Sequence, residues 1–211
     1  MNKSQMHNEA FIKLTNRLDL SEGNPEHVLT AIVDTIAQIL KADQVSLWQF
    51  TPFSMDAHCV AVSGGRSAKQ LPMESVDLTP HSALITALQT EFSVSTLNVA
   101  KDLRSATLPK EYWMIGNVKS CLHVPIRAIR KIQGILRVDS KNERNWNVDD
   151  VYFCERVAGL VSQILLTREV ENASQRVRLL GNISSEITHR YNFQTLLNEL
   201  VRKCTETLQA T

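Results

Sequence analysis

The chain is poor in residues that punctuate or staple a fold. Only 7 glycines and 6 prolines occur in 211 residues, so no stretch has the composition of a disordered linker. The four cysteines, Cys59, Cys121, Cys154 and Cys204, are scattered, with no CxxC pair and no histidine at ligand spacing. A structural zinc site is therefore not expected, and the thiols read as reduced, mostly buried side chains of a cytoplasmic protein. No apolar run reaches the roughly 18 residues that suggest a membrane span. The opening MNKSQMHNEAF lacks the apolar core of a secretory signal, so neither a membrane nor export is predicted. One-sided charge is missing too. Lys+Arg 23 against Asp+Glu 22 leaves +1, and nucleic-acid binding has no electrostatic support. What is present is an ordinary globular mix, 43% apolar and 21% charged. It is enough for one domain with appendages, or for two small domains.

Met6, Ala10, Phe11, Leu14 and Leu18 recur at helical spacing over residues 4–20, predicting an amphipathic helix. After DLSEGNP, Asn24 is placed to cap a second helix with Pro25 at its first position, where a missing N–H costs nothing. Its apolar face is Val28, Leu29, Ile32, Val33, Ile36, Ile39 and Leu40. Strand patterns follow at 44–51 and 57–63, the latter ended by Gly64-Gly65. A short helix is predicted at about 80–89, an extended piece near 92–97, and one helical turn around Pro109–Ile115. Strands at 119–128 and 131–139 are joined by a tight turn at Ile129-Arg130. Asn147 caps a last helix, with Asp149 and Asp150 in its first turn favouring the dipole. Helices at both ends of a central antiparallel sheet make an α+β domain, with helices packed on one sheet face.

That last helix changes character along its length. Val151, Val157, Leu160, Val161, Ile164 and Leu165 form a broad face suited to a sheet. Beyond them the stripe narrows to Leu166, Val170, Ala173, Val177, Leu180, Ser184 and Ile187, in steps of four and three. This is a heptad seam and predicts coiled-coil dimerisation; one edge of a helix packed on its own domain is the alternative reading. An internal repeat follows without gaps, residues 24–43 aligning with 192–211. Asn24/Asn192, Leu29/Leu197, Val33/Val201, Leu40/Leu208 and Ala42/Ala210 are identical pairs. The first copy runs into a strand and the second reaches the end of the sequence, so 191–211 reads as the first helix of a second, truncated domain of the same kind.

Four segments in series, LKADQVSLWQF, SCLHVPI, IQGILRVDSKNERNWNVDDV and VYFCERVAGLVSQIL, resemble the GAF domains in order and spacing. The resemblance covers about 24–168. It implies a six-stranded antiparallel sheet with helices on one face and a small-molecule pocket on the other. It also implies a sensory role, a bacterial multidomain signalling context and dimerisation through flanking helices. The domains are then a helix at 1–23, the GAF domain at 24–168, a connector helix at 169–190 and the start of a second GAF-like domain at 191–211. Bilin-binding relatives attach their chromophore through a cysteine ahead of the SCLHVPI-like strand, and DLRSATLPKEYWMIGNVK has none. Relatives that reduce methionine sulfoxide cluster cysteines around the pocket, and here only Cys121 falls in that neighbourhood. The cyclic-nucleotide signature is matched poorly by KNERNWNVDD, where Trp146 stands in place of Phe. NISSEI resembles the phosphoacceptor box of sensor kinases, but Ser185 takes the place of the phosphorylated histidine.

Alternation on 120–126 puts Leu122, Val124 and Ile126 towards the helices and Cys121 and His123 towards the pocket. On the next strand it sends Arg137 and Asp139 the same way. Arg137 suits a carboxylate or phosphate held bidentately, or else pairs with Asp139 or another acid, or lies at an exposed sheet end. His123 reads equally as a ligand contact or a hydrogen-bonded core histidine. Trp48, Tyr112 and Trp113 are candidate pocket walls, or core aromatics. His81, at a helix start, either helps present N–H groups to an anion or merely caps. Leu166, Val170, Ala173, Val177, Leu180 and Ile187 are the candidate dimer interface. No Ser/His/Asp set, carboxylate pair or phosphate loop is present to make catalytic residues, and no metal or cofactor is assigned. The expected function is regulatory: an unidentified small molecule or dimer contacts bias the last helix, and through it a downstream output domain. A ligand-free dimerisation domain is the alternative, with a cyclic-nucleotide-binding domain or a thiol-based reductase behind it.

Overall fold

Alternating apolar strands in the middle of the chain have two faces to bury, and the flanking helices are long enough to cover only one of them. The structure, a computed structural model, describes residues 3–17, 25–52, 54–64, 74–105, 107–113, 117–128, 131–190 and 193–209. The expected cap Asn24, the glycine Gly65, the turn Ile129-Arg130, Asn192, Ala210 and the side chain of Ile187 lie outside the described residues.

Helix α1 is Lys3–Arg17 and α2 is Pro25–Leu40, followed by β1 (Gln44–Phe50), β2 (Asp56–Val62) and β3 (Ser75–Asp77). Helix α3 (Ser82–Thr90), β4 (Val94–Thr96), a 3-10 turn at Lys110–Tyr112, β5 (Ser120–Ala128) and β6 (Lys131–Ser140) come next. Helices α4 (Val148–Arg190) and α5 (Phe193–Gln209) complete the chain. The six strands form one antiparallel sheet in the order β3-β2-β1-β6-β5-β4. Strand β3 is absent from the sequence-based prediction; three residues are too few to show a period of two.

Helix α2 ends with Lys41 at φ 50, its N–H bonded to the Gln38 carbonyl and that of Ala42 to Ala37 at 3.0 Å. This pair of bonds is the Schellman closure, made here without glycine. The chain then enters β1 directly, with Asp43 N–H donating to the Asp139 carbonyl at 3.0 Å. Strands β1 and β6 approach so closely at Gly134 that a Cβ there would lie 2.2 Å from the Trp48 carbonyl oxygen.

The sheet's first face packs under α1, α2 and α4. Leu29, Ile32, Val33 and Ile36 of α2 meet Val45, Leu47, Leu122, Val124, Leu136 and Val138 of the sheet and Phe153, Val157, Val161 and Ile164 of α4 in one apolar cluster. The second face is covered by different means, with Leu84 and Leu88 of α3, Val76, Val94, Leu108 and Tyr112 packed on Trp48, Ala57 and Ile135. The short helix α3 therefore lies apart from the helical layer that the sequence pattern predicts.

Asn147 caps α4 as expected, its Oδ1 accepting the Asp150 N–H at 2.9 Å. Asp150 does more than favour the helix dipole. Its carboxylate is buried and lies 2.9 Å from Lys3 Nζ and 3.2 Å from Arg144 Nη2. Arg144 in turn donates to the Leu40 carbonyl at 2.7 Å and lies over the Trp146 ring. His7 stacks on Phe153 at 5.0 Å. Through these contacts the start of α1 and the end of α2 are fixed to the start of α4.

The chain divides into two units, Met1–Leu165 and Leu166–Thr211. In the second, Val170, Val177 and Leu180 of the heptad seam are each more than 60% exposed, and Ala173 is exposed as well. Leu166 is half-buried. On α5, Leu197, Leu200 and Val201 are exposed.

Candidate functional site

The strand pleat decides what faces what. Because β5 and β6 pair with His123 opposite Arg137 and Cys121 opposite Asp139, these four side chains share the second face. Ser46 of β1 sits opposite Arg137 on its other side. A row of polar groups thus crosses three central strands, where burial is greatest.

Arg137 and Asp139 are both fully buried. The Arg137 Nε donates to Asp139 Oδ1 at 2.8 Å and Nη2 donates to Oδ2, a bidentate pair. Nη1 donates to the main-chain carbonyl of Tyr112. The guanidinium lies against the Tyr112 ring, 4.2 Å from its centroid, and 4.7 Å from that of Trp113, both within cation–π range. Trp48 packs on Tyr112 at 5.0 Å and donates its indole N–H to Ser46 Oγ at 3.0 Å. His123 lies nearly parallel to Tyr112, with centroids 6.2 Å apart. Its Nε2 is 3.4 Å from the Tyr112 hydroxyl, a long contact for such groups, and its Nδ1 3.5 Å from Cys121 Sγ.

The electrostatics follow from burial. Loss of water, with Arg137 nearby, pushes His123 down to about 3, so the ring is neutral. Burial drives the Tyr112 hydroxyl and the Cys121 thiol well above their ordinary values, and the Cys59 thiol up to about 12. A Cys121 that stays a thiol is a poor nucleophile. Burial opposes the charge on Arg137, but Asp139 and the other groups around it together outweigh burial and hold the guanidinium protonated. The same burial raises the Asp139 carboxyl, opposed by Arg137 on both its oxygens. Arginine does not give up its proton at accessible pH, and both Asp139 oxygens accept from it, the geometry of an ionised carboxylate.

The cover over this cluster is residues 107–113. Its 3-10 turn is closed by Tyr112 N–H to the Pro109 carbonyl at 3.0 Å and Trp113 N–H to Lys110 at 3.1 Å. Upstream, the Leu108 N–H reaches the Ser105 carbonyl at 3.1 Å, and Asp102 takes Arg104 at 2.7 Å and the Thr96 hydroxyl at 3.2 Å. Tyr112 is fully buried and Trp113 half-buried at the rim. Of the predicted site residues, Trp48, Tyr112, Trp113, Cys121, His123 and Arg137 come together. His81 does not join their contacts: its Nδ1 pairs with Thr107 Oγ1 at 3.1 Å, at the outer end of the cover. Among the readings open for Arg137, pairing with Asp139 is the one realised.

Two residues of consequence were not singled out from sequence. Arg127 reaches the C-terminal end of α3, donating to the Leu88 carbonyl at 2.5 Å and to Glu91 at 2.6 Å. The Arg127 carbonyl accepts the Ser162 hydroxyl of α4 at 2.7 Å. One strand residue thereby links a helix of the second face to a helix of the first. A separate cleft of about 440 Å³ lies at the end of α2 against Asp34, Gln38, Asp43 and Ser63. Its two acids are engaged, Asp34 with Gly64 N–H and Asp43 with Lys141 N–H, both at 2.8 Å.

The sequence model of the GAF domain matches residues 24–165, well over half of the chain. The chain belongs to the GAF domain family. GAF domains are sensory and regulatory domains that bind bilins or other small molecules, and they occur in multidomain signalling proteins with output domains. Solved GAF structures share the fold at low identity. The GAF domain of a phosphoenolpyruvate-protein phosphotransferase from Coxiella burnetii has TM-score 0.69 and 14% identity, over 82% of this chain and 99% of that one. A phycoerythrobilin-bound GAF domain from a cyanobacterial phytochrome has TM-score 0.62 and 17% identity, over 80% and 99%. Free methionine-R-sulfoxide reductase from Neisseria meningitidis, in complex with its substrate, has TM-score 0.60 and 13% identity, over 78% and 90%. A search of curated protein sequences gave no match. Among the described residues, no helix is long and apolar enough to cross a membrane, and no group of His, Cys, Asp and Glu is placed to hold a metal ion.

Proposed function

We propose that this GAF domain is a non-catalytic cytoplasmic sensor whose second sheet face takes a small molecule under the 107–113 cover. The observation that carries this is the buried Arg137–Asp139 pair beneath Tyr112 and Trp113. A buried ion pair is often no more stabilising than apolar residues of the same size, so its presence in an aromatic setting favours a binding role over a purely structural one. The signal leaves along α3, Arg127 and Ser162 to α4, and the exposed seam of α4 joins two copies of the chain as a parallel dimer. Residues 169–190 serve as connector to a second GAF-like domain beginning near 191, with an output domain further on. Ligand binding need only favour one of two packings of α4 to act this way.

Native mass spectrometry of protein purified from cells, combined with sedimentation, tests the reading. A dimer carrying a small molecule is expected. A stable dimer with no bound molecule would instead favour a structural dimerisation domain. Replacing Val177 and Leu180 with glutamate is expected to give monomer with an unchanged near-ultraviolet spectrum. In the relay, Ser162→Ala should leave ligand binding intact while abolishing ligand-dependent changes in amide exchange along α4. Unaltered changes would sink that route.

A further inference from the structure

We infer that the outward face of α4 on the domain body, from Tyr152 to Gln163, is held against the same face of a second copy of the chain, with the two helices closest at Gly159. This rests on the proposed dimer and adds the part of the body that joins it.

Two separate patterns mark out the face. Over residues 152–166, the side of α4 that covers the sheet is buried, with Phe153, Val157, Val161 and Ile164 in the first-face cluster. Tyr152, Gly159 and Gln163 are exposed, and Arg156 and Leu166 are half-buried. Counting back from Leu166 in alternate steps of three and four, the heptad phase passes through Gln163, Gly159, Arg156 and Tyr152. The stripe that the body leaves uncovered is the one to which the phase of the seam leads.

Its chemistry is not that of a solvated surface. No charged residue occurs from Val157 to Thr167, whereas the water-facing side of an amphipathic helix ordinarily carries charge. Gly159 stands within this stretch. A glycine in an exposed helix interior costs stability relative to alanine, and nothing in the described chain requires this one. Among the described residues, a Cβ there would meet nothing within 4 Å. Gly134 is the opposite case, where the chain's own Trp48 carbonyl fills the space. A missing Cβ lets another backbone come close, and at Gly159 that backbone comes from a second molecule.

A second copy suits the face because the face complements itself. A two-fold axis along α4 sets Gly159 against its own counterpart, so no side chain holds the helices apart there. The same axis brings Glu155 of each copy beside Arg156 of the other, opposite charges at one end of the uncharged stretch. Gln163 falls at an a position, where a polar residue fixes register in a two-stranded coil. Tyr152, 60% exposed in the single chain, is covered by the partner. Ser162, whose hydroxyl donates to the Arg127 carbonyl at 2.7 Å, lies next to Gln163 in the chain, so the proposed route from α3 ends directly behind this contact.

The test uses the whole chain with Cys204→Ser, so that no exposed native thiol remains among the four cysteines. One new cysteine is added, Gln163→Cys on the face or Gln175→Cys away from the seam, and the protein is oxidised with copper phenanthroline. Only the first is expected to give a disulfide-linked dimer, because only there do two Cβ atoms come within bonding reach. In parallel, Gly159→Leu is expected to weaken the dimer at least about tenfold in sedimentation, with its near-ultraviolet spectrum unchanged and Gly159→Ala intermediate. An idle glycine predicts the reverse, since both substitutions raise helix propensity and would leave association as it was. A dimer in which Gln163→Cys fails to cross-link, or in which Gly159→Leu associates as tightly as the parent, overturns the body contact and leaves the seam dimer standing. A parent chain that sediments as monomer removes both.

Discussion

The two faces of the sheet are built from alternate residues of the same strands and have opposite characters. Leu136 and Val138 look into an apolar layer beneath α2 and α4, while their neighbours Arg137 and Asp139 form a salt bridge beneath Tyr112. On β5, Leu122 and Val124 join the first layer while Cys121 and His123 join the polar row. Both sides exclude water equally, for Leu136 and Arg137 are each wholly buried. Burial alone therefore does not tell structure from site. The first face gains stability from removing apolar surface. The second places charges in an interior where each is tolerable only because its partner is there.

The sharpest way to break this contrast is to remove half of the pair. Arg137→Met, leaving Asp139 buried alone, is expected to destabilise by about 3–5 kcal/mol in urea unfolding. The paired change R137M/D139L should recover most of that loss, and a double variant as unstable as the single would contradict the account. On the first face, Leu136→Ala should cost about 2–5 kcal/mol through lost burial and a cavity, with no partner change able to restore it. At the seam between strands, Gly134→Ala should cost about 1–3 kcal/mol or more, because the added methyl meets the Trp48 carbonyl oxygen and not a side chain that can turn away.

The last expected effect concerns pH and builds up gradually over a window. His123 binds a proton near 6.5 when unfolded but only at about 3 when folded. Between these values the unfolded state holds more protons, so stability is complete above about 6.5 and falls as pH drops through that window. The slope contributed approaches about 1.4 kcal/mol per pH unit. His123→Gln should flatten the stability profile between pH 6.5 and 4, and an unchanged profile would place the histidine in a wetter setting than the second face offers.

Much of this arrangement is legible from the chain. Period-two alternation in SCLHVPI and ILRVD assigns Leu122, Val124, Leu136 and Val138 to one face and Cys121, His123, Arg137 and Asp139 to the other. The α2 face and the Asn147 cap follow from local spacing in the same way. What alternation does not carry is contact across the chain. The bond from Arg137 to the Tyr112 carbonyl joins residues 25 apart and ends on main chain, which has no sequence signature. Asp150 reads locally as a helix-dipole acid, while its ion pair with Lys3 spans 147 residues. His81 reads as a site residue because it begins a helix, yet its ring turns to Thr107. Strand β3 is held by pairing with β2 rather than by any pattern of its own three residues.

The cysteines have a practical use. Cys59, Cys121 and Cys154 are buried, and burial holds each thiol protonated far above neutrality, whereas Cys204 is exposed on α5. The unmodified protein thus offers one reactive thiol to maleimide dyes or spin labels under native conditions. A probe attached there would read the surroundings of α5 directly, with no substitution needed near Arg137 to silence the other three.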